Sequence, residues 1–283
     1  MKVAIYTAFA LIAFACNSIL CRLALGNETI DAVGFTTVRL VSGAVTLLVI
    51  SLIFNQNKAE LKRGNWLSAF FLFGYATCFS FAYLNLTTAT GALILFGSVQ
   101  LTMICLALVK GERPQILEWI GLIFAFGGLV YLVFPGLAAP PILYSILMMS
   151  AGIAWGFYTL RGKGSENPLA DTTGNFIRTV PMIFLIALPF LSQIQLSNNG
   201  IILAILSGAF ASGIGYSIWY AVLKHHTATR AAILQLAVPA LAATGGVIFL
   251  SENISIRLIL ASSLILGGIA LAILGRRKIK LSS

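Results

Sequence analysis

Ten runs of about twenty apolar residues, parted only by short polar clusters, leave this chain one kind of surroundings in which to fold. They fall near residues 3–22, 33–54, 66–84, 88–109, 116–134, 142–161, 173–192, 200–223, 231–250 and 257–275. At a rise of ~1.5 Å per residue, each can cross a hydrocarbon layer of about 30 Å as a helix. Charged residues make up only 9% of the 283, where a soluble domain carries about 25%, so a soluble enzyme is excluded. The runs are continuous rather than alternating, which excludes a membrane β-barrel, and a coiled coil or a disordered chain fits no better. Connections such as Pro135-Gly136 to Pro140-Pro141 and Ser197-Asn198-Asn199-Gly200 leave no room for a soluble domain. The expected fold is all-α: a polytopic membrane protein with ten transmembrane helices. Lys2 and the apolar stretch after it resemble a signal peptide, but Phe14 is too bulky for a cleavage site at Ala13-Phe14-Ala15-Cys16, and the segment is read as retained. Cys16, Cys21, Cys78 and Cys105 all sit inside apolar runs without metal-ligand spacing, so no metal or cofactor is expected.

The net charge of +10 acquires meaning from its placement. With the N-terminus in the cytoplasm, that side holds Lys2, Lys58, Lys62, Arg63, Lys110, Arg113, Arg161, Lys163, Lys224, Arg230, Arg276, Arg277, Lys278 and Lys280. The other side holds Arg22 and Arg257, while Arg39 and Arg178 lie within spans. Fourteen against two predicts cytoplasmic termini by the positive-inside rule, and makes the basic charge a topology signal rather than a nucleic-acid footprint.

Shifted by 139 residues, the sequence aligns with itself. Arg22 meets Arg161, Arg39 meets Arg178, Gly74 meets Gly213, and residues 82–95 match 221–234 at eight of fourteen positions. One residue later in register, Glu112 meets Glu252 and Gly127-Gly128 meets Gly267-Gly268. The expected domains are therefore 1–137 and 138–283, with five spans each. An odd number of spans inserts the second copy upside down, the inverted-repeat architecture of many secondary transporters.

Several motifs carry a family resemblance. Val38-Arg39-Leu40 has its counterpart in Ile177-Arg178-Thr179. Ala154-Trp155-Gly156-Phe157-Tyr158, Ala237-Val238-Pro239-Ala240, Leu250-Ser251-Glu252-Asn253 with Gly111-Glu112, and the paired glycines recur in order. The chain resembles the EamA-type members of the drug/metabolite transporter superfamily over essentially its whole length. The resemblance implies two five-helix repeats, alternating access, and a central cavity lined by the fourth helix of each repeat. Asn17, in place of a small residue, and Gln100, opposite Pro239, depart from the pattern and put two amides into the membrane.

Intramembrane polar groups are costly unless paired or wet, which makes them site candidates. All eight acids lie in loops or at span ends, so no buried carboxylate can alternate between proton and cargo, and the expectation is facilitated diffusion or exchange. His225 and His226 fall in a loop. Asn17, Gln100 and Gln235 are candidate substrate-binding amides, Gln235 lying one turn before Pro239, whose ring frees its carbonyl. Trp155 with Tyr158, Tyr75 with Phe79, and Tyr216 are candidate aromatic contacts, whereas Trp66, Trp119, Trp219 and Tyr220 read as interfacial belt. Arg39 and Arg178, about 9 Å inside their spans, either snorkel to bind neighbouring carbonyls or attract an anionic substrate. Nothing within the spans forms a nucleophile, paired-acid or zinc constellation, so no enzyme is expected. The reading is a transporter of a small organic metabolite in the cell inner membrane, working in efflux. Its alternative is an uptake carrier or exchanger for a phosphorylated or nucleotide-derived metabolite. The lipid bilayer is the expected surrounding, nucleic acid no partner, and one chain sufficient to enclose a cavity.

Overall fold

The computed structural model describes residues 2–54, 63–109, 116–134, 139–162, 165–190, 192, 194–223, 225–226 and 234–275. Through them run α1 (Lys2–Gly26), α2 (Ala32–Phe54), α3 (Trp66–Ala82), α4 (Thr88–Val109), α5 (Ile116–Val133) and α6 (Ile142–Gly162). There follow α7 (Pro168–Ala187) with a 3-10 turn at Leu188–Phe190, α8 (Asn198–Leu223), α9 (Ala237–Leu250) and α10 (Ile256–Gly275). Among the described residues there is no strand, only an isolated bridge between Ile30 and Leu196. Among the described residues, eight helices are long and apolar enough to span a membrane; α3 and α9, with 17 and 14 residues, are shorter apolar helices. The chain is an all-α, multi-pass membrane protein. Of the residues read for orientation and motifs, Lys58, Lys62, Lys110, Gly111, Glu112, Arg113, Lys163, Lys224, Arg230, Arg276, Arg277, Lys278 and Lys280 lie outside the described residues.

Hydrocarbon offers no hydrogen bonds, so a span must satisfy its own backbone, and a helix does so unaided. Hydroxyls within the spans follow the same rule. Thr36 donates to the Ala32 carbonyl, Ser80 to Ala76, Thr102 to Ser98 and Ser217 to Gly213, each one turn back. Outward faces are apolar: Ile123, Phe126, Ile248 and Phe249 are all exposed, as befits side chains that meet lipid. Trp66 and Trp119 project outward at helix starts, where interfacial indoles sit. Trp219 and Tyr220 do not join that belt. They are buried, because the last turns of α8 lie between α1 and α7.

Two span boundaries differ from the apolar pattern. The run expected from 173 begins at Pro168, since the Asn167 side chain caps the Ala170 N–H and a proline in the first helical turn loses no bond. The ninth span is interrupted: a helical turn at Leu234 and Gln235 breaks at Leu236, and α9 starts with Pro239 as its third residue. The ring cannot donate to the carbonyl four residues earlier, so the break falls where the proline dictates.

The most extensive helix pairing is α5 on α10, and it works through bare backbone. A Cβ on Gly121 would lie 2.5 Å from the Gly268 carbonyl oxygen, and one on Gly268 would lie 2.6 Å from that of Gly121. Gly128 meets Leu264, whereas Gly127 and Gly267 have nothing within 4 Å, so only one glycine of each pair works in the crossing. Gly121→Val is therefore expected to lower the thermal midpoint of the detergent-purified protein, at a cost of about 1–3 kcal/mol. Gly127→Ala, tested in the same melt, should leave the midpoint unchanged or slightly raised.

Candidate functional site

Six helices converge on the middle of the bundle, and one local irregularity makes the convergence chemical. In α8 the stretch Leu206–Ile214 is a π-helix. In an α-helix, residues five apart point about 140° away from each other. With i→i+5 bonding they stack. Ser207 and Ser212 thus face the same way, and the α-turn that resumes at Gly215 adds Tyr216 one turn further on. Glycine lets the irregular turn come close: a Cβ on Gly208 would strike the Arg39 carbonyl and the Ser42 hydroxyl, and Gly43 lies against Phe176 and the Gly208 carbonyl.

Into this space α1 sends Asn17, α2 sends Arg39, α3 sends Tyr75 and Phe79, and α6 sends Trp155. The Asn17 amide nitrogen donates to the Tyr75 hydroxyl (3.4 Å) and the Tyr216 hydroxyl (3.5 Å), while its oxygen accepts from Ser207. Arg39 donates through Nη2 to Tyr75 (3.1 Å) and Tyr216 (3.4 Å), and through Nε to the Ser212 hydroxyl (3.4 Å). The two tyrosine hydroxyls are 3.2 Å apart. Trp155 completes the aromatic wall, 4.7 Å from each tyrosine ring.

Arg39 is 1% exposed, with its guanidinium 4.8 Å from the Phe79 ring and 5.3 Å from that of Tyr75. Among the described residues no carboxylate pairs with it, and its Nη1 has no hydrogen-bond partner. The snorkelling reading thus fails for Arg39, whose side chain turns inward. It holds in part for Arg178, which donates to the Arg63 and Gly174 carbonyls, both at 2.8 Å. The repeat is not symmetric around the two arginines. At the 139-residue shift the counterparts of Asn17, Tyr75 and Phe79 are Gly156, Ile214 and Ile218, so the side chains that α1 and α3 bring to Arg39 are not repeated in the second half.

A small cavity remains at the centre, lined by Phe14, Asn17, Tyr75, Phe79, Leu95, Phe96, Trp155 and Tyr216. Its volume of about 10 Å³ suits a single water. Five of the sequence candidates line it: Asn17, Tyr75, Phe79, Trp155 and Tyr216. Gln100 and Gln235 are buried but stand apart from it, and the Gln100 side-chain nitrogen has no partner. Phe14 and Phe96 went unread because a phenylalanine in an apolar run carries no signal of direction. Ser207 and Ser212 went unread because π-turns leave no mark in composition.

The two ends of the bundle differ. At the Arg22 end the described residues close on one another. Glu252 accepts from the Thr88 backbone (2.8 Å) and hydroxyl (3.2 Å) and pairs with Arg22 at 3.7 Å, while Arg22 donates to the Tyr83 and Leu84 carbonyls. Asp31 caps α2 and accepts from the Gln195 backbone, and Ser197 donates to the Thr29 carbonyl. At the Arg161 end a cavity of about 150 Å³ opens between α3, α6, α7 and α8, lined by Asn65, Arg161, Asp171, Thr172, Tyr158, Asn175 and Tyr220 among others. Tyr158 therefore serves this cavity, with its hydroxyl 3.5 Å from the Asn175 amide, and Trp155 lies between it and the centre.

A chain open at one end, sealed at the other and polar in the middle is built like a solute carrier, and the comparisons agree. A profile of the EamA-like transporter family matches residues 1–134 and again 142–274. The chain belongs to that family. It is accordingly a membrane transporter of small solutes. An uncharacterized protein of Pseudomonas aeruginosa is 46% identical over 270 residues, covering 95% of this chain and 94% of that one. An uncharacterized transporter of Archaeoglobus fulgidus is 31% identical over 180 residues, 60% of this chain and 62% of its own. One crystal structure superposes with a TM-score of 0.68 at 18% identity, over 98% of this chain and 99% of the other, which speaks for the fold alone.

Proposed function

We propose that this family member moves a small organic metabolite across the cell inner membrane by alternating access, without a coupled ion. Its termini lie in the cytoplasm, and net movement follows the gradient, which is efflux for a product made inside the cell. The observation that carries this reading is the asymmetry of the two ends. The Arg22–Glu252–Thr88 cluster seals one, the Arg161 cavity opens the other, and the Asn17–Tyr75–Tyr216 centre lies between them. Fourteen basic residues on the Arg161 side against two on the other support a cytoplasmic address for the open end. Rocking the two halves would break the seal and close the cavity, so that the centre faces each side in turn. One observation favours the second reading, uptake or exchange of a phosphorylated or nucleotide-derived metabolite: the Arg39 guanidinium reaches the centre.

Thiol accessibility tests alternation without knowing the substrate. Cys21, buried between the centre and the sealed end, and a Ser165→Cys probe in the half-exposed lining of the open cavity are each kept as the sole cysteine. Membrane-impermeant reagents should label Ser165→Cys quickly and Cys21 slowly. Glu252→Gln weakens the seal, and labelling of Cys21 should rise several-fold while that of Ser165→Cys falls. A rise at both positions would mean a channel instead.

A further inference from the structure

Donors outnumber acceptors at the centre of this molecule. A guanidinium donates and never accepts, and the acceptors facing Arg39 are hydroxyls of Tyr75, Tyr216 and Ser212. The same two tyrosine oxygens also receive the Asn17 amide, whose own oxygen accepts from Ser207. When one tyrosine donates to the other across their 3.2 Å separation, the second hydroxyl proton has no described acceptor. The Arg39 and Asn17 bonds to these hydroxyls are long, 3.1–3.5 Å, beyond the ~2.9 Å of a settled N–H···O contact. Nη1 of Arg39 remains unbonded in a buried position. An always-charged group held in such surroundings lacks an anion.

We propose that this cluster is the binding site for the carboxylate of an organic monoanion, whose flat apolar body lies against Phe14, Phe79, Phe96 and Trp155. The inference rests on the alternating-access reading, because the central cavity now fits one water and a ring enters only as α6 and α8 part. A single fixed cation matches one negative charge; a phosphate dianion calls for a second, and among the described residues Arg178 is turned away to the Arg63 carbonyl. An amino acid would bring an ammonium, for which no carboxylate waits at the centre among the described residues. A halide would leave the aromatic wall without purpose. Carboxylate oxygens would satisfy Nη1 and the spare tyrosine proton together, and charge-assisted bonds are shorter and stronger than the neutral contacts they replace.

The test is binding of radiolabelled benzoate to the full-length protein in nanodiscs, corrected with empty discs. Saturable binding is expected, with phenyl phosphate, benzylammonium and chloride competing at least about tenfold less well than unlabelled benzoate. Arg39→Gln should weaken binding by about tenfold or more, Arg39→Lys less, and Tyr216→Phe, which keeps the ring and its packing, several-fold. Equal competition by phenyl phosphate, benzylammonium or chloride would overturn the proposal. So would wild-type binding by Arg39→Gln, or no saturable binding at all. The thiol-accessibility experiment uses no ligand, so failure here leaves alternation standing, and failure there removes alternation first.

Discussion

Arg39→Met is expected to make the protein more stable and to stop it transporting. A buried guanidinium without a counter-ion carries a desolvation cost that long hydroxyl contacts and two ring faces only partly offset. Methionine keeps the unbranched stem and fills the space beside Phe79 with an apolar thioether. Replacing a whole buried ion pair by well-packed apolar residues is often neutral or stabilising by about 1–4 kcal/mol. Here the hydroxyls left behind can still bond to one another and to Asn17. The thermal midpoint of the purified protein should therefore rise by several degrees. Exchange of radiolabelled benzoate in proteoliposomes should fall to the level of empty vesicles. An arginine kept for structure would behave oppositely: the melt would drop, because the links from α2 to Tyr75, Tyr216 and Ser212 would be lost. Sign, rather than size, separates the two roles.

Gly208→Ala is expected to lose stability and function together. An added methyl would strike the Arg39 carbonyl and the Ser42 hydroxyl, so α2 and the π-turn of α8 must separate. Backbone has no rotamer through which to yield, and the cost is about 1–3 kcal/mol. The separation would carry Ser212 away from the Arg39 Nε and Ser207 away from Asn17. The thermal midpoint should drop, and benzoate binding in the fraction that remains folded should weaken by about the same factor as in Tyr216→Phe. Gly74→Ala, with nothing within 4 Å of the new carbon, is the matched control and should melt and bind as the unaltered chain does.

Much of the fold was legible because hydrocarbon simplifies the problem. A long apolar run has one way to satisfy its backbone, so α1, α2, α4 and α10 begin and end within a few residues of their runs. Legibility failed where neighbours decided. Trp219 and Tyr220 read as interfacial because tryptophan and tyrosine near a span end usually are, but α1 and α7 cover the last turns of α8. Gln100 and Gln235 read as cavity residues because a buried amide needs partners. Burial was right for both, yet neither lies on the central lining.

Arg39 and Arg178 show where the division falls. Sequence by itself established the solvent, the class of fold, and two arginines at matching places in a repeat, because hydropathy and register are properties of the chain alone. It also held a difference between the halves, Ile214 and Ile218 where the first half has Tyr75 and Phe79. Which arginine turns inward was settled only by tertiary structure. A guanidinium goes where acceptors and ring faces are assembled around it, and those of Arg39 come from α3 and from the π-turned stretch and following turn of α8, 36 to 177 residues away in the chain.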